Sequence, residues 1–103
     1  MPVSVSYLYS DDPAARSHYA LLARPIHLPE ILIQDADLRV RAAVLANPTT
    51  PPRLLKIRPH MHRSERSALA RNPKTTQAVI LALVADPDPW VRWFAKERVY
   101  AGR

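Results

Sequence analysis

Apolar residues recur along the chain in short blocks, and each block ends at a proline. The blocks read HYALLARP at 18–25, RAAVLANP at 41–48 and RSALARNP at 66–73. Between 37 and 46, Val40, Ala43 and Val44 have the i, i+3, i+4 spacing of one helix face, with Ala46 at its edge. Two later stripes have the same spacing, namely Val79, Ile80 and Leu83, and then Val91, Phe94, Ala95 and Val99. The pattern predicts a series of short amphipathic helices.

Prolines mark the helix boundaries in this chain, which has eleven prolines and one glycine, Gly102. A proline excludes the α conformation from the residue before it, so the first helix of each block is predicted to end at its Arg-Pro or Asn-Pro step. Asp12-Pro13, Thr50-Pro51 and Asp88-Pro89 resemble an N-cap followed by a first-turn proline. The near absence of glycine argues against a β-sandwich or barrel, and also against a glycine-rich nucleotide loop.

The blocks form an internal repeat. Pro25, Pro48 and Pro73 are 23 and 25 residues apart, and Asn-Pro-x-Thr occurs at both 47–50 and 72–75. A second segment follows each block, reading IHLPEILI, TTPPRLLKI and KTTQAVILAL. Aligned on the prolines, Arg41, Arg66 and Arg92 fall at equivalent positions, and His18 takes that position in the first block. A fixed period of this size predicts a solenoid, in which each unit buries its apolar face against its neighbours.

The predicted fold is all-α, with about three and a half units of 23–25 residues. The units cover roughly 11–34, 35–59 and 60–85, with a half unit at 86–100, and together with the C-terminal residues they form one domain, 11–103. The second segments are only about two turns long, so 3₁₀ helix is an alternative to α-helix there. Residues 1–10 include VSVSYLY, for which we favour an extended or capping segment over a short edge strand.

The best-defined unit is DADLRVRAAVLANPTTPPRLL at 35–55, and DPDPWVRWFA at 86–95 repeats its first half. An aspartate, Val-Arg, a small apolar run, Asn-Pro, a proline and Leu-Leu resemble the leucine-rich repeat variant family, a relative of the HEAT repeats. The resemblance covers about 11–98 and implies a right-handed superhelix of alternating α and 3₁₀ helices, without a shared activity. An iron–sulfur segment known in that family cannot be transferred, because this chain has no cysteine.

The composition excludes several kinds of functional site. Without cysteine there are no disulfides, thiolate nucleophiles or sulfur-ligated metal sites, and no cofactor is predicted. No apolar run approaches the length of a membrane span, and the N-terminus does not resemble a signal peptide. We therefore expect a soluble cytoplasmic protein with no membrane contact.

The net charge is +6, and the excess lies in one stretch, 53–74. Seven basic residues occur there against Glu65 alone, and we call them the basic ridge: Arg53, Lys56, Arg58, Arg63, Arg66, Arg71 and Lys74. Three interpretations stay open, of which the leading one is contact with a nucleic-acid backbone. The others are docking of an acidic protein, and a solvated surface without a specific partner. For Arg41, Arg66 and Arg92 we prefer a structural role in pairing units.

Two further groups of residues resemble functional sites. His60 and His62 would point in different directions on either a strand or a helix, so no metal site is predicted. Trp90, Trp93, Phe94 and Tyr100 lie in the last half unit, where a cap or a homodimer interface is favoured over a base-stacking pocket. Some HEAT-like DNA glycosylases use tryptophans and an acid, but Asp88 has a sufficient role as an N-cap. We therefore predict a non-catalytic binding module.

Overall fold

Helices are the only regular secondary structure in the residues that the structure describes. A computed structural model describes residues 9–24 and 29–101, and no strand occurs within these ranges. The all-α prediction is therefore confirmed for them, whereas most of the predicted N-terminal segment lies outside them. The elements in chain order are α1 (Pro13–Leu22), α2 (Pro29–Leu32), α3 (Leu38–Ala46), a 3₁₀ helix (Pro52–Leu54), α4 (Arg63–Arg71), α5 (Gln77–Leu83) and α6 (Pro89–Ala101).

Several helix boundaries lie where the caps and prolines predict them, whereas α1 ends at Leu22, two residues before the predicted Arg24. The carboxylates of Asp12 and Asp88 accept hydrogen bonds from the first-turn amides of α1 and α6. Helices α3 and α4 end one residue before Asn47 and Asn72, whose ψ angles of 120° and 123° are extended, as a following proline requires. Helix α6 contains no such proline after its first residue, and it continues for 13 residues.

The predicted cap at Thr50-Pro51 is wrong. The 3₁₀ helix begins at Pro52 and has no side-chain cap, because the buried Thr50 hydroxyl instead donates to the Val44 carbonyl at 2.6 Å. Thr75 makes the same bond to Leu69 O at 2.7 Å. The threonine of each Asn-Pro-x-Thr motif thus donates to a carbonyl in the last turn of the helix before it. That carbonyl also accepts from the amide of the capping asparagine, at 3.2 Å for Val44 and 3.4 Å for Leu69.

The first helix of each predicted unit packs against the first helix of the next, in the order α1, α3, α4 and α6. Helix α2 packs on α3, while α5 packs on both α4 and α6. Each of these helices contributes buried side chains to one hydrophobic core, including Tyr19, Ala20, Leu32, Val40, Val44, Leu45, Leu69, Ala70, Ile80, Leu83, Val91 and Ala95. No helix in the described ranges is long and apolar enough to cross a bilayer.

The predicted apolar stripes are largely buried, with one difference in α3. Val40, Ala43 and Val44 are buried, but Leu45 is buried as well and Ala46 is only partly so. Leu45 is buried because α3 has a helix on each side, α1 and α4, so its apolar surface is wider than one stripe. Ala46 lies instead on an open groove, which is described below.

Candidate ligand-binding face

Four arginines link the helices in the same way. In each of them Nη1 donates to a backbone carbonyl five or six residues earlier in the chain, just before its own helix. The distances are 2.7 Å for Arg16 to Ser10, 2.7 Å for Arg41 to Asp35 and 2.8 Å for Arg92 to Asp86, and Arg66 makes the equivalent bond to Met61. The predicted equivalence of His18 to Arg41, Arg66 and Arg92 is wrong, because Arg16 makes the equivalent bond in the first block. Aligning the blocks on their prolines therefore places the first block two residues out of register.

Three of these arginines also hold a carboxylate further along the chain. The Nε atom donates to Asp35 at 2.8 Å from Arg16, to Glu65 at 3.3 Å from Arg41 and to Asp86 at 2.6 Å from Arg66. Each guanidinium therefore joins the start of its own helix to the start of a later one. The predicted structural role of Arg41 and Arg66 is confirmed by these bonds. Arg16, Arg41 and Arg66 are each 25 residues apart, and this regular spacing in the sequence indicates that Arg16 is the equivalent residue in the first block.

The third predicted unit lacks the aspartate of the others, and Glu65 replaces it. Glu65 Oε1 accepts from the His62 amide at 3.0 Å, while its Oε2 accepts from Arg41. The His62 ring accepts from the Ser64 amide at 3.1 Å, which completes a capping box at the start of α4. His62 is thus a helix cap, and within the described ranges no three acidic or histidine side chains gather as a metal site would require.

The asparagines of the Asn-Pro steps form a second set of links. Asn47 Nδ2 donates to the carbonyls of Ala20 and Ala23 at 2.9 and 3.0 Å. Asn72 Nδ2 donates to Leu45 and Asn47 at 2.7 and 3.0 Å. In α6 Arg98 takes this role, donating to Ala70, Asn72, Pro73 and Thr75. These bonds satisfy buried carbonyls at each helix end.

Ion pairing determines which basic residues are available to a ligand. Six of the nine carboxylates, those of Glu30, Asp35, Asp37, Glu65, Asp86 and Asp88, are paired with arginine. Hydrogen bonds from Arg39 lower the pKa of Asp37 to about 2. Burial would raise the pKa of Asp35, but hydrogen bonds from Arg16 and the Asp37 amide lower it. Asp35 and Asp37 are therefore charged at neutral pH.

The basic ridge is divided between several environments. Arg66 is held by Asp86 and Met61, and Arg53 is paired with Glu30. Arg58 is partly buried, and desolvation lowers its pKa. Arg63 is 71% exposed and 3.8 Å from Asp88. Lys56, Arg71 and Lys74 are exposed and make no ion pair with a carboxylate of the described residues.

Two adjoining grooves cross the exposed side of α3, α4 and α6. The larger, about 600 Å³, has small side chains on its floor, among them Ala42, Ala46 and Ser67, with Arg39 and Arg71 beside them. The smaller, about 280 Å³, is lined by Arg63, Ser64, Ser67, Asp88 and Trp90. Because both are lined by Ser64 and Ser67, they form one surface, which we call the α4 groove. Arg39 belongs to it although it lies outside the basic ridge.

The aromatic residues of α6 lie beside this groove. Trp90 and Trp93 are 66% and 52% exposed, so they cover little of the core. Their ring centroids are 6.3 Å apart in an edge-on arrangement, and Phe94 lies 5.4 Å from Trp93. The Arg71 guanidinium lies 4.9 Å from the centroid of the Phe94 ring, a cation–π contact. Tyr100 is exposed further along α6, and the homodimer through this end stays a prediction.

Helices α4 and α6 thus bring together residue types that are separate in the sequence. Arg63 and Arg71 come from the basic ridge, while Trp90, Trp93 and Phe94 come from the last half unit. The resulting face offers cationic groups, exposed indoles and a floor of small side chains. Comparison of the chain with protein-family models, curated proteins and solved structures found no match. The resemblance to the leucine-rich repeat variant family therefore depends on the repeat motifs alone.

Proposed function

We propose that this protein is a non-catalytic binding module that contacts the phosphate backbone of nucleic acid through its basic residues. In the same proposal its helices stack as a right-handed α-solenoid of about three and a half leucine-rich repeat variant units. The recurrence of equivalent bonds at Arg16, Arg41 and Arg66, and at Asn47 and Asn72, supports this stacking. Repeat arrays of this kind present extended surfaces suited to extended ligands.

The observation that carries the proposal is the charge left over once the internal ion pairs are formed. Most carboxylates are held within the fold, whereas Lys56, Arg71 and Lys74 have exposed side chains without a carboxylate partner among the described residues. Exposed cations of this kind bind polyanions by releasing condensed counterions. Contacts to phosphates need no particular base sequence, so a phosphate backbone suits exposed cations of this kind.

Reversing the charge of Lys74 tests the location of the phosphate contacts. We expect Lys74→Glu to weaken nucleic-acid binding and to reduce the slope of log K against log salt concentration by about one. The matched control is Lys96→Glu, since Lys96 is also exposed but lies on α6, outside both the basic ridge and the residues lining the α4 groove. Equal losses for the two variants would show that only the net charge matters, which would contradict a local contact.

An acidic protein is the second candidate partner. The observation that favours it is the exposure of Trp90 and Trp93 next to arginines, because tryptophan and arginine often anchor protein interfaces. Binding would then depend on a few central residues rather than on the sum of charges. An alanine scan of the α4 groove would show that difference as a loss confined to two or three positions.

A further inference from the structure

We propose that the α4 groove binds single-stranded nucleic acid, with bases stacked on Trp90 and Trp93 and phosphates held by Arg63 and Arg71. This inference rests on the proposed function and specifies its ligand. It depends on a juxtaposition that the sequence does not reveal, in which the indoles of α6 lie beside the arginines of α4.

The indole rings of Trp90 and Trp93 are available for stacking. Trp90 and Trp93 are 66% and 52% exposed, although large aromatic side chains are normally buried for the sake of their apolar area. Trp93 packs edge-on against both Trp90 and Phe94, and Trp90 lies tilted against Phe94, which fixes both indoles and leaves ring surface open to solvent. Aromatic faces of this kind are where the bases of single strands stack, largely without regard to sequence.

Arg63 and Arg71 lie close enough to these rings to hold phosphates. Arg63 and Trp90 line the same part of the groove, and Arg71 lies against Phe94. Arg63 is only 3.8 Å from Asp88 and remains well exposed, so a phosphate can attract its guanidinium away from that weak pair. Because Asp88 Oδ1 is occupied by the amide of Trp90, its carboxylate remains at the start of α6.

The exposed indoles favour one strand over two. The lining of the groove beside them includes Ala42, Ala46, Ser64 and Ser67, whose short side chains leave the surface next to Trp90 open to a ligand. In a duplex the base faces are covered by neighbouring base pairs, so Trp90 and Trp93 have no base to stack on. In a single strand the bases can turn toward the indoles while the backbone follows the arginines.

The test compares a labelled single strand of about 12 nucleotides with the duplex of the same sequence. Fluorescence anisotropy at low salt measures binding, and quenching of tryptophan emission reports base contact in the unaltered protein. We expect tighter binding of the single strand, together with quenching. Trp90→Ala and Trp93→Ala should each weaken it about 5- to 100-fold without changing the salt slope, because stacking carries no charge. Tyr9→Ala is the control, since Tyr9 is exposed but remote in sequence from α4 and α6.

The remaining outcomes separate this inference from the proposed function. Salt-dependent binding with equal affinity for both ligands, no quenching and no effect of the tryptophan variants would overturn single-strand stacking and leave the phosphate proposal intact. Absence of nucleic-acid binding at low salt would overturn both. Binding of polyglutamate that is lost in Trp90→Ala, with no binding of either nucleic acid, would identify the groove as an acidic-protein site. Circular dichroism on each variant verifies that it is folded.

Discussion

Replacement of Asn72 by alanine is expected to lower the free energy of unfolding by about 3 kcal/mol. The Asn72 side chain is buried, donates to the carbonyls of Leu45 and Asn47 and accepts from the Lys74 amide at 2.9 Å. Alanine leaves the Leu45 carbonyl and the Lys74 amide without this partner, while the Asn47 carbonyl keeps only its bond from the Thr50 amide at 3.0 Å. Each unsatisfied buried group costs about 1–3 kcal/mol. Because water can partly replace the lost amide, we expect a total cost near the lower end of the summed penalties. Urea denaturation followed by circular dichroism measures the change.

Two further variants test that prediction, one as an equivalent change and one as a control. Asn47→Ala removes an equivalent set of bonds and should cost a similar amount. Lys74→Ala leaves its own backbone amide bond to Asn72 in place and removes only an exposed side chain, so we expect a change within about 0.5 kcal/mol. A loss below about 1 kcal/mol in both asparagine variants would show that these bonds do not hold the helices together.

Replacement of Arg66 by alanine is expected to cost about 3–5 kcal/mol, although Arg66 belongs to the basic ridge. Its guanidinium side chain is 20% exposed and pairs with Asp86, which is 4% exposed. Removing the arginine leaves a buried carboxylate without its main partner. The variant Asp86→Ala should also be destabilised, and the double variant should lose less than the sum, with a coupling of about 1–3 kcal/mol.

Arg63 supplies the matched control for that cycle. It lies in the same helix, but it is 71% exposed and its ion pair to Asp88 measures 3.8 Å. Exposed pairs contribute at most about 1 kcal/mol, so Arg63→Ala should leave the unfolding midpoint almost unchanged. Equal losses for Arg63→Ala and Arg66→Ala, or additive losses at Arg66 and Asp86, would contradict a structural role for Arg66.

The helices could be predicted well from local chemistry. Asp12 and Asp88 act as caps, and Asn47 and Asn72 terminate helices as their prolines require. The cap prediction for Thr50 is wrong because its hydroxyl can bond either to the following helix or to the preceding one, and in its buried position it donates to the Val44 carbonyl of α3. The position of Arg16 was missed because the prolines do not keep the same distance from the arginines in every block.

The candidate site could be predicted only in part. The basic residues of 53–74 stand out in the sequence, and the repeat predicts a structural role for Arg66. The sequence does not identify Asp86 as the partner of Arg66, nor does it show that Arg71 remains exposed. Nor does it place Phe94 against Arg71, since these residues are 23 positions apart and meet only through the packing of α6 on α4. Tertiary contacts of this kind assemble the α4 groove.

The salt dependence of nucleic-acid binding tests the central proposal most directly. Labelled single strand is titrated with the protein at a series of salt concentrations, and log K is plotted against log salt concentration. Three or four phosphate contacts predict micromolar binding at low salt and a slope of about −2 to −3, at about 0.7 for each contact on a single strand. No binding at low salt, or binding that does not change with salt, would contradict the proposal that this protein contacts a phosphate backbone.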